Sequence, residues 1–494
     1  MIQKDGSIII TDWHKGISPS PYYSDKAGFA DMRNVDPFTI PGVLMLAKAA
    51  TNKTATTIAS TPRYCDMDSA TSLYVLCTDG KLYKGISNGT SWSADTGHSA
   101  ATGKGLKVYR DGLLLAAGTG LHVKQDLTGT PAWQNSGNAI AQMTLDSADH
   151  HTMFETPQDG KLNIANGNYV NTVNAAGTGD LDITTATFVD NAIDFPTKYK
   201  MKALEAVGNN LLTAGYAGST IFPENSADIF PWDRSSTSYT DPIKLGEAGV
   251  NVLKTINDLL YIQAGYSGRW YISNGSSSRL LFAIPNLVQT VDTPHPQGVM
   301  YMNGRLYFAV RGSEYLNSSN GRSGVYSVNP DGTGLILENT ISTGVTDYNV
   351  DIGFLFPGRA HLKEYFIGWR DETTNAQGVD RVSVNEDYIG SYGGYVDSQV
   401  YTVGTALQPK TFQKLEIYLD RPLNSNEGIR ISTRTNMASS FTTFGTYTSS
   451  NFTSNFHRVD FPIRAEQVQV RIALLGAGSG ASATCPRLKY IKLI

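Results

Sequence analysis

The sequence is poor in charge and in long apolar runs. Only 17% of its 494 residues are charged, below the roughly 25% that is usual for soluble domains. The 40 basic residues nearly balance the 44 acidic ones, giving a formal net charge of −4. No run of five or six like charges occurs, which argues against a protein that binds by neutralising phosphates. No window approaches 18 apolar residues, so we expect no membrane span.

Cysteine is scarce too, and its count excludes a disulfide-stapled scaffold. Cys65 and Cys77 lie on neighbouring strand-like segments, and Cys485 stands alone. A bridge between the first two is conceivable, but the demanding geometry of cross-strand bridges favours buried thiols. The opening MIQKDGSIIITDWHKG lacks the apolar stretch of a signal peptide. An extracellular-looking composition without that signal is typical of a protein assembled in the bacterial cytoplasm and released on lysis, as in a phage particle.

Helical periodicity is almost absent, whereas glycine and tyrosine are abundant, with 48 and 26 residues. Short alternating apolar runs bounded by Gly, Asn, Asp or Pro predict an all-β protein. The best helix candidate is residues 251–260, NVLKTINDLL. It reads equally well as two strands joined by an Asn257-Asp258 turn.

A repeat organises most of the chain. A turn pair rich in Gly, Asn and Asp is followed at once by an apolar run, at intervals of 32, 48, 49, 49, 46 and 59 residues. The seven units begin at Asp79, Asp111, Asp159, Gly208, Asn257, Asn303 and Leu362. Such pairs supply the positive φ angles of tight hairpins, and a four-stranded blade needs roughly 40 to 50 residues. The repeat therefore predicts a β-propeller of seven blades, with six or eight left open by the uneven first and last intervals.

Three regions follow from this pattern. Residues 1–45 form an N-terminal arm in which SIIIT (7–11) is a strand, 46–395 the propeller, and 396–494 a C-terminal jelly-roll-like β-sandwich of about eight strands. The stretch GSYGGYVDS (390–398) is interpreted as the linker between propeller and sandwich. The arm is predicted to serve assembly, with SIIIT closing the last blade as the alternative.

The chemistry-bearing residues form no recognisable catalytic or metal motif. None of the eight histidines has a second ligand at zinc spacing, no calcium loop occurs, and no G-x-S-x-G elbow is present. We therefore predict a non-enzyme without cofactor or metal. Glu205 and Asp233 are the best candidates for a glycosidase pair, but we favour the simpler interpretation that both are surface carboxylates on loops.

Aromatic residues point to binding instead, because exposed rings serve as interface anchors or sugar platforms. Packing between blades is the alternative for most of them. The candidate interface residues are Trp13, Phe38, Trp232, Trp270 and Trp369.

Four phrases carry a family resemblance. WHKGIS with the later FADMRNVDPFTIPGVL resembles the N-terminal segment of β-propeller virion proteins of tailed bacteriophages. SADIFPWDRSSTSYTDPIKLGEAGVNVLKTINDLLYIQAGYSGRWYISNGS resembles their central blades, and LEIYLDRPLNSNEGIRISTRT their terminal sandwich. The resemblance covers most of the chain and implies a tail-hub, tail-tip, nozzle or fibre protein, with no catalytic residues to carry over.

The first hypothesis is thus a structural component of a phage tail. It would be assembled in the host cytoplasm as a homo-oligomer among other virion proteins, with a host-surface glycan or protein as a further partner and no nucleic-acid specificity. The alternatives are a polysaccharide-cleaving glycosidase and a lectin-like carbohydrate-binding module.

Overall fold

The computed structural model describes residues 7–18, 28–54, 58–86, 91–99, 101–175, 181–218, 224–266, 268–284, 294–312, 323–343, 350–405, 407–452 and 454–494. Regular structure in these ranges is β-strand, apart from short 3₁₀ turns at Trp13–Lys15, Gln134–Gly137, Ala360–Leu362 and Gly480–Ser482. None of the helices in these ranges is long and apolar enough to cross a membrane. The all-β prediction is confirmed.

Five short strands precede the repeat. They are β1 (Ile8–Ile10), β2 (Asp31–Arg33), β3 (Val35–Asp36), β4 (Met45–Leu46) and β5 (Thr51–Asn52). β3 and β4 form a small antiparallel pair of their own, and the other three strands join larger sheets.

The next 27 strands, together with β5, form seven units of four antiparallel strands, here called ring sheets 1 to 7, of which ring sheet 6 is part of a larger ten-stranded sheet. Ring sheet 1 comprises β6 (Pro62–Met67), β7 (Leu73–Cys77), β8 (Leu82–Ile86) and β9 (Ser91–Asp95). Ring sheet 2 comprises β10 (Gly103–Tyr109), β11 (Gly112–Ala117), β12 (Gly120–Gln125) and β13 (Ala132–Trp133). Ring sheet 3 comprises β14 (Met153–Glu155), β15 (Leu162–Asn166), β16 (Tyr169–Asn174) and β17 (Thr187–Asp194).

Ring sheets 4 to 6 continue the order without a crossover. Ring sheet 4 comprises β18 (Tyr199–Val207), β19 (Asn210–Ala217), β20 (Ala227–Trp232) and β21 (Ile243–Leu245). Ring sheet 5 comprises β22 (Val250–Ile256), β23 (Leu259–Ala264), β24 (Arg269–Ser273) and β25 (Ser278–Ala283). Ring sheet 6 comprises β26 (Val299–Met302), β27 (Arg305–Val310), β28 (Gly324–Val328) and β29 (Ile336–Asn339).

Ring sheet 7 takes its fourth strand from the segment that precedes ring sheet 1. It comprises β30 (Val350–Pro357), β31 (Tyr365–Asp371) and β32 (Ala376–Val382), and its fourth strand is β5. Thr51 lies opposite Arg381 and Asn52 opposite Asp380. The first strand of each ring sheet contacts the first strand of the next, and β30 contacts β6. The ring is therefore closed, and the chain contains a β-propeller.

The sequence repeat maps onto the turns of this ring. Six of the seven units fall between the first and second strands of ring sheets 2 to 7, whereas Asp79 falls between the second and third strands of ring sheet 1. That offset accounts for the short first interval. Residues 251–260 form parts of β22 and β23, and Asn257 and Asp258 both adopt positive φ, at 49° and 61°. The two-strand interpretation is confirmed.

The C-terminal region adds eight strands. They are β33 (Gly394–Asp397), β34 (Tyr401–Thr402), β35 (Lys410–Leu419), β36 (Gly428–Thr435), β37 (Thr442–Thr448), β38 (Phe456–Ala465), β39 (Gln467–Leu475) and β40 (Leu488–Leu493). One sheet has the order β1-β40-β35-β38. The other extends ring sheet 6 in the order β29-β2-β33-β39-β36-β37, with β34 beside β39. Inward side chains of both sheets share one hydrophobic cluster.

Two expectations about the connections are wrong. SIIIT does form a strand, but β1 pairs with β40, and β5 closes the ring instead. The predicted linker at 390–398 contains β33, which pairs with β2 on one side and β39 on the other, leaving Val396 fully buried. A Gly/Tyr/Ser composition marks a linker only where the backbone has no partners, and this one has partners on both edges.

Candidate functional site

The candidate site is a cavity of about 470 Å³ on the axis of the ring. Residues on or beside all seven first strands line it, so every ring sheet contributes to its wall. Its polar lining includes Asp66, Lys107, Glu155, Glu205 and Lys254. A cavity to which each repeat contributes side chains is the usual binding place in a ring of this kind.

A repeated β-bulge shapes the first strands. In five of them the register with the second strand slips at the same place, leaving one residue unpaired. These residues are Arg63, Lys104, Lys202, Asn251 and Gly353. A bulge re-aims side chains and increases the local twist. At Gly353 the neighbouring strand comes so close that an added Cβ would lie 2.1 Å from the Pro62 carbonyl oxygen, so no side chain fits there.

The first strands also carry a buried polar cluster. Asp351 accepts a hydrogen bond from His295 Nε2 at 3.1 Å and lies 3.7 Å from the Arg63 guanidinium. The Tyr64 hydroxyl and His150 Nδ1 are 2.7 Å apart, and the two histidine rings lie 5.9 Å from each other. His295 is 1% exposed and its Nδ1 has no partner within the described residues.

Ion pairs balance most of the charge at the cavity. Lys107 Nζ lies 2.8 Å from the Asp66 carboxylate, and Lys254 Nζ lies 3.6 Å from that of Glu205. The backbone N–H of Val108 also donates to Asp66, at 2.8 Å. These contacts hold the side chains against the wall of the cavity.

The pKa values of two buried carboxyl groups shift in opposite directions. Desolvation raises the pKa of Glu205, and nearby Lys254 only partly opposes that effect. Desolvation also acts on Asp351, but the charge and hydrogen bond of His295 outweigh it and hold the pKa well below its ordinary value. Glu205 is therefore harder to ionise than an ordinary glutamate, and Asp351 is easier to ionise than an ordinary aspartate.

The structure does not bring the predicted glycosidase residues together. Glu205 lies on β18 and lines the cavity, whereas Asp233 follows β20, the third strand of the same sheet. The Asp233 carboxylate accepts backbone hydrogen bonds from Ser235 and Ser236, which lowers its pKa to about 2. Asp233 is thus an exposed turn residue. The surface-carboxylate interpretation therefore holds for Asp233 but not for Glu205, which is buried.

Four of the candidate interface aromatics belong to the protein's own core. Trp232 packs in the cluster between ring sheets 3 and 4, Trp270 between 5 and 6, and Trp369 between 6 and 7. Trp13 is 1% exposed and donates from Nε1 to the Lys489 carbonyl oxygen at 2.8 Å. A buried ring cannot anchor a neighbour, so the interface role predicted for these four is wrong and packing explains them.

Phe38 is the exception among the candidates, because it remains half-buried. The Arg305 guanidinium lies 3.5 Å from the centre of its ring. The ring lines a crevice of about 150 Å³ between the arm and ring sheets 6 and 7. Its interface role stays a prediction.

Sequence reasoning missed the polar cluster. His150 and His151 precede β14, and each takes its own partner: Tyr64 for His150 and the Ala165 carbonyl for His151. The contacts of His150 and His295 join residues up to 145 positions apart, and no local pattern signals them. The available signal is a basic residue in the first half of three of the seven first strands, at Arg63, Lys104 and Lys202.

Comparison with known proteins gives no family. No family model matches the chain, and no curated protein matches it. Among solved structures, the β-propeller domain of Myceliophteria thermophila Cps50 (Swd1) is 12% identical, with a TM-score of 0.42, covering 68% of this chain and 99% of that one. The Neurospora crassa Pan2 WD40 domain is 12% identical, with a TM-score of 0.43 and coverages of 70% and 97%. An exo-β-1,3-galactanase from Phanerochaete chrysosporium is 10% identical, with a TM-score of 0.31 and coverages of 73% and 97%.

The described residues contain no group of three or more His, Cys, Asp or Glu side chains placed to hold a metal ion. The charged groups of the cavity include the Lys107–Asp66 and Lys254–Glu205 ion pairs, an arrangement suited to binding polar groups.

Proposed function

We propose that this chain is a structural, non-enzymatic component of a bacteriophage tail. It is assembled in the host cytoplasm with other tail proteins and is present in several symmetric copies, where it contributes to host attachment. The observation that carries the proposal is the resemblance of four separate phrases of its sequence to β-propeller virion proteins.

The positions of those phrases in the fold support the proposal. WHKGIS lies beside β1, the long central phrase spans β20 to β24, and the last phrase spans parts of β35 and β36. They therefore occupy the arm, the ring and the C-terminal sheets in the order that the family resemblance implies.

We further infer that each ring sheet is one blade, which gives a seven-bladed propeller, and that the two C-terminal sheets form a jelly-roll-like sandwich. The closed cycle of first-strand contacts supports the blade count. The hydrophobic cluster shared by Phe412, Ile431, Ile472 and Ile491, which lie on both sheets, supports the sandwich.

Ion pairing supports the non-enzymatic interpretation of the cavity. Asp66 pairs with Lys107 and Glu205 with Lys254, so the two carboxylates are held by lysines and are not poised as a free acid and base. Structural ion pairs of this kind stiffen a wall without supplying chemistry.

One observation favours a second candidate, a polysaccharide-cleaving enzyme. Glu205, whose pKa is raised by burial, lines the same cavity as Asp66 and Glu155. Two carboxyl groups that face one cavity are the components that glycoside hydrolysis requires.

Genetic complementation tests both candidates. In a phage that encodes the chain, inactivating the gene should abolish infectious particles, and a copy with Glu205→Gln should restore them fully. Asp233→Asn, a matched change on the outer turn, serves as the control. Loss of infectivity with Glu205→Gln, with normal particle assembly and with loss of polysaccharide cleavage by the purified protein, would favour the enzyme.

A further inference from the structure

The outer face of the second C-terminal sheet carries a row of arginines and aromatic rings. Strand alternation places the two groups on one side: Arg430 and Arg434 on β36 lie on the face opposite Ile429 and Ile431, which are fully buried. Arg471 of β39 and Arg33 of β2 share that outer side, as their pairing registers show. We call Arg33, Arg430, Arg434 and Arg471 the arginine face.

Aromatic rings interleave with these guanidinium groups. Arg430 lies 3.9 Å from the centre of the Tyr392 ring, and Arg434 lies 5.0 Å from that of Phe441. Arg471 lies between two rings, 4.1 Å from Tyr395 and 4.4 Å from Phe441. A guanidinium over a ring keeps its N–H groups at the edge available while its position is fixed.

Carboxylates neutralise only half of the arginine face. Asp397 accepts two hydrogen bonds from Arg471, at 2.6 and 2.7 Å, and Asp31 accepts one from Arg33 at 2.9 Å. Arg434 donates to the neutral amide of Gln469. Within the described residues, no carboxylate lies within ion-pair distance of Arg430 or Arg434. Two positive charges therefore remain uncompensated on one strand.

Hydroxyl groups flank the two uncompensated arginines. β37 is the edge strand of this sheet, and its Thr446 lies opposite Arg430 while Thr443 lies opposite Ser432. Both threonines are exposed. Hydroxyls beside cations and aromatic rings match the mixed groups of an acidic sugar, which presents hydroxyls, carboxylates and apolar C–H faces together.

We propose that the arginine face is a binding site for an anionic polysaccharide, gripped by Arg430 and Arg434 with Thr443 and Thr446 alongside. The two arginines stand four residues apart on one strand, about 13 Å. That spacing lets the two guanidinium groups hold separate charged sugars of one extended polymer.

The charge of the site favours a polysaccharide over a nucleic acid. Duplex DNA carries one charge per roughly 1.7 Å of its axis, and its binders neutralise many phosphates at once. This face offers two uncompensated cations, on a chain whose net charge is −4. A sparsely charged polymer is therefore the better complement.

This inference deepens the proposed attachment role, but a purified protein tests it by itself. The full chain is titrated with polygalacturonate by calorimetry at about 50 mM and about 300 mM salt, since exposed charges are screened over that range. Neutral dextran and a single-stranded oligonucleotide are titrated in parallel. We expect binding to polygalacturonate that weakens with salt, and little binding to the other two.

Variants of matched charge locate the site. We expect Arg430→Ala with Arg434→Ala to weaken polygalacturonate binding about tenfold or more. The control is Arg458→Ala with Arg464→Ala, which removes the same charge from β38 of the other sheet and should change binding little. Arg430→Lys with Arg434→Lys keeps the charge, loses the flat stacking and should fall between them. Near-ultraviolet circular dichroism checks that each variant is folded. If Arg430→Ala with Arg434→Ala does not fold, Arg430→Gln with Arg434→Gln takes its place.

Equal binding by the Arg430/Arg434 variant and the wild type would overturn the proposal, as would equal loss in the β38 control. Tighter binding of the oligonucleotide would overturn the class of ligand. A protein that binds polygalacturonate through this face but is absent from phage particles would leave the site standing and contradict only the virion role.

Discussion

Ile8 lies directly opposite Leu493, so the first described strand of the chain is hydrogen-bonded to the last. Both side chains are fully buried in the hydrophobic cluster between the C-terminal sheets. β2, from the same arm, joins the neighbouring sheet, and β5, which follows the arm, joins ring sheet 7. Strand pairing by the arm thus connects the ring to the C-terminal sheets.

The pairing of β1 with β40 predicts that substitutions at neighbouring residues of β1 differ strongly in their effect on stability. Ile8→Asp places a carboxylate in the cluster and should lower the free energy of unfolding by about 3 kcal/mol or more. Ile9→Asp is the matched control, because Ile9 is only half-buried, and it should cost far less. Thermal unfolding followed by circular dichroism measures both. Similar melting temperatures for the two variants would contradict the pairing of β1 with β40.

Trp13 should stabilise the isolated chain. It stacks on Phe29 with ring centres 5.5 Å apart and donates to the Lys489 carbonyl. Trp13→Phe keeps the ring but leaves that carbonyl without its partner, which should cost about 1–2 kcal/mol. Trp13→Ala removes the packing too and should cost about 3–5 kcal/mol. Denaturant titration of the purified protein gives both values. An unchanged midpoint for Trp13→Ala would restore the assembly-anchor interpretation.

The fluorescence of Trp369 should change when Asp380 ionises. Its Oδ1 accepts the Trp369 indole N–H at 2.6 Å, and burial raises the pKa of the carboxyl to about 6. Because this value lies above the ordinary value near 4, ionisation costs stability, and the cost appears as pH rises from about 4 to beyond 6. We expect a change in tryptophan fluorescence near pH 6 that Asp380→Asn and Trp369→Phe both remove. A transition that persists in both variants would contradict this assignment.

The thiols should be inert in the folded protein. Cys65, Cys77 and Cys485 are free and buried, and burial raises the pKa of each thiol. Since the thiolate is the reactive form, a thiol reagent should label none of them quickly under native conditions and all three after denaturation. Labelling of only Cys485 in denaturant without reductant would reveal a bridge between Cys65 and Cys77.

The sequence predicted the ring better than its connections. Pairs such as Asn303-Gly304 mark turns because few residues tolerate their positive φ angles, and that information is local. The pairing of Thr51 with Arg381 joins residues 330 positions apart, and short strands such as β1, β2 and β5 carry too little pattern to show their partners.

The candidate site was the least predictable part. The cavity depends on side chains from every ring sheet, and the bulges that place Lys104 and Lys202 are visible only in the strand register. Glu205 was singled out from sequence and does line the cavity, but the carboxylates beside it are Asp66 and Glu155, not Asp233. Composition cannot identify such neighbours, because closure of the ring brings them together.

The virion role is tested most directly by mass spectrometry of phage particles. Particles are purified by density gradient from a lysate of the phage that encodes the chain, and their proteins are quantified against the tail tube and capsid subunits. The proposal predicts peptides from the arm, the ring and the C-terminal sheets at one constant copy number per particle. Absence of the chain from infectious particles, with abundant free protein in the lysate, would contradict it.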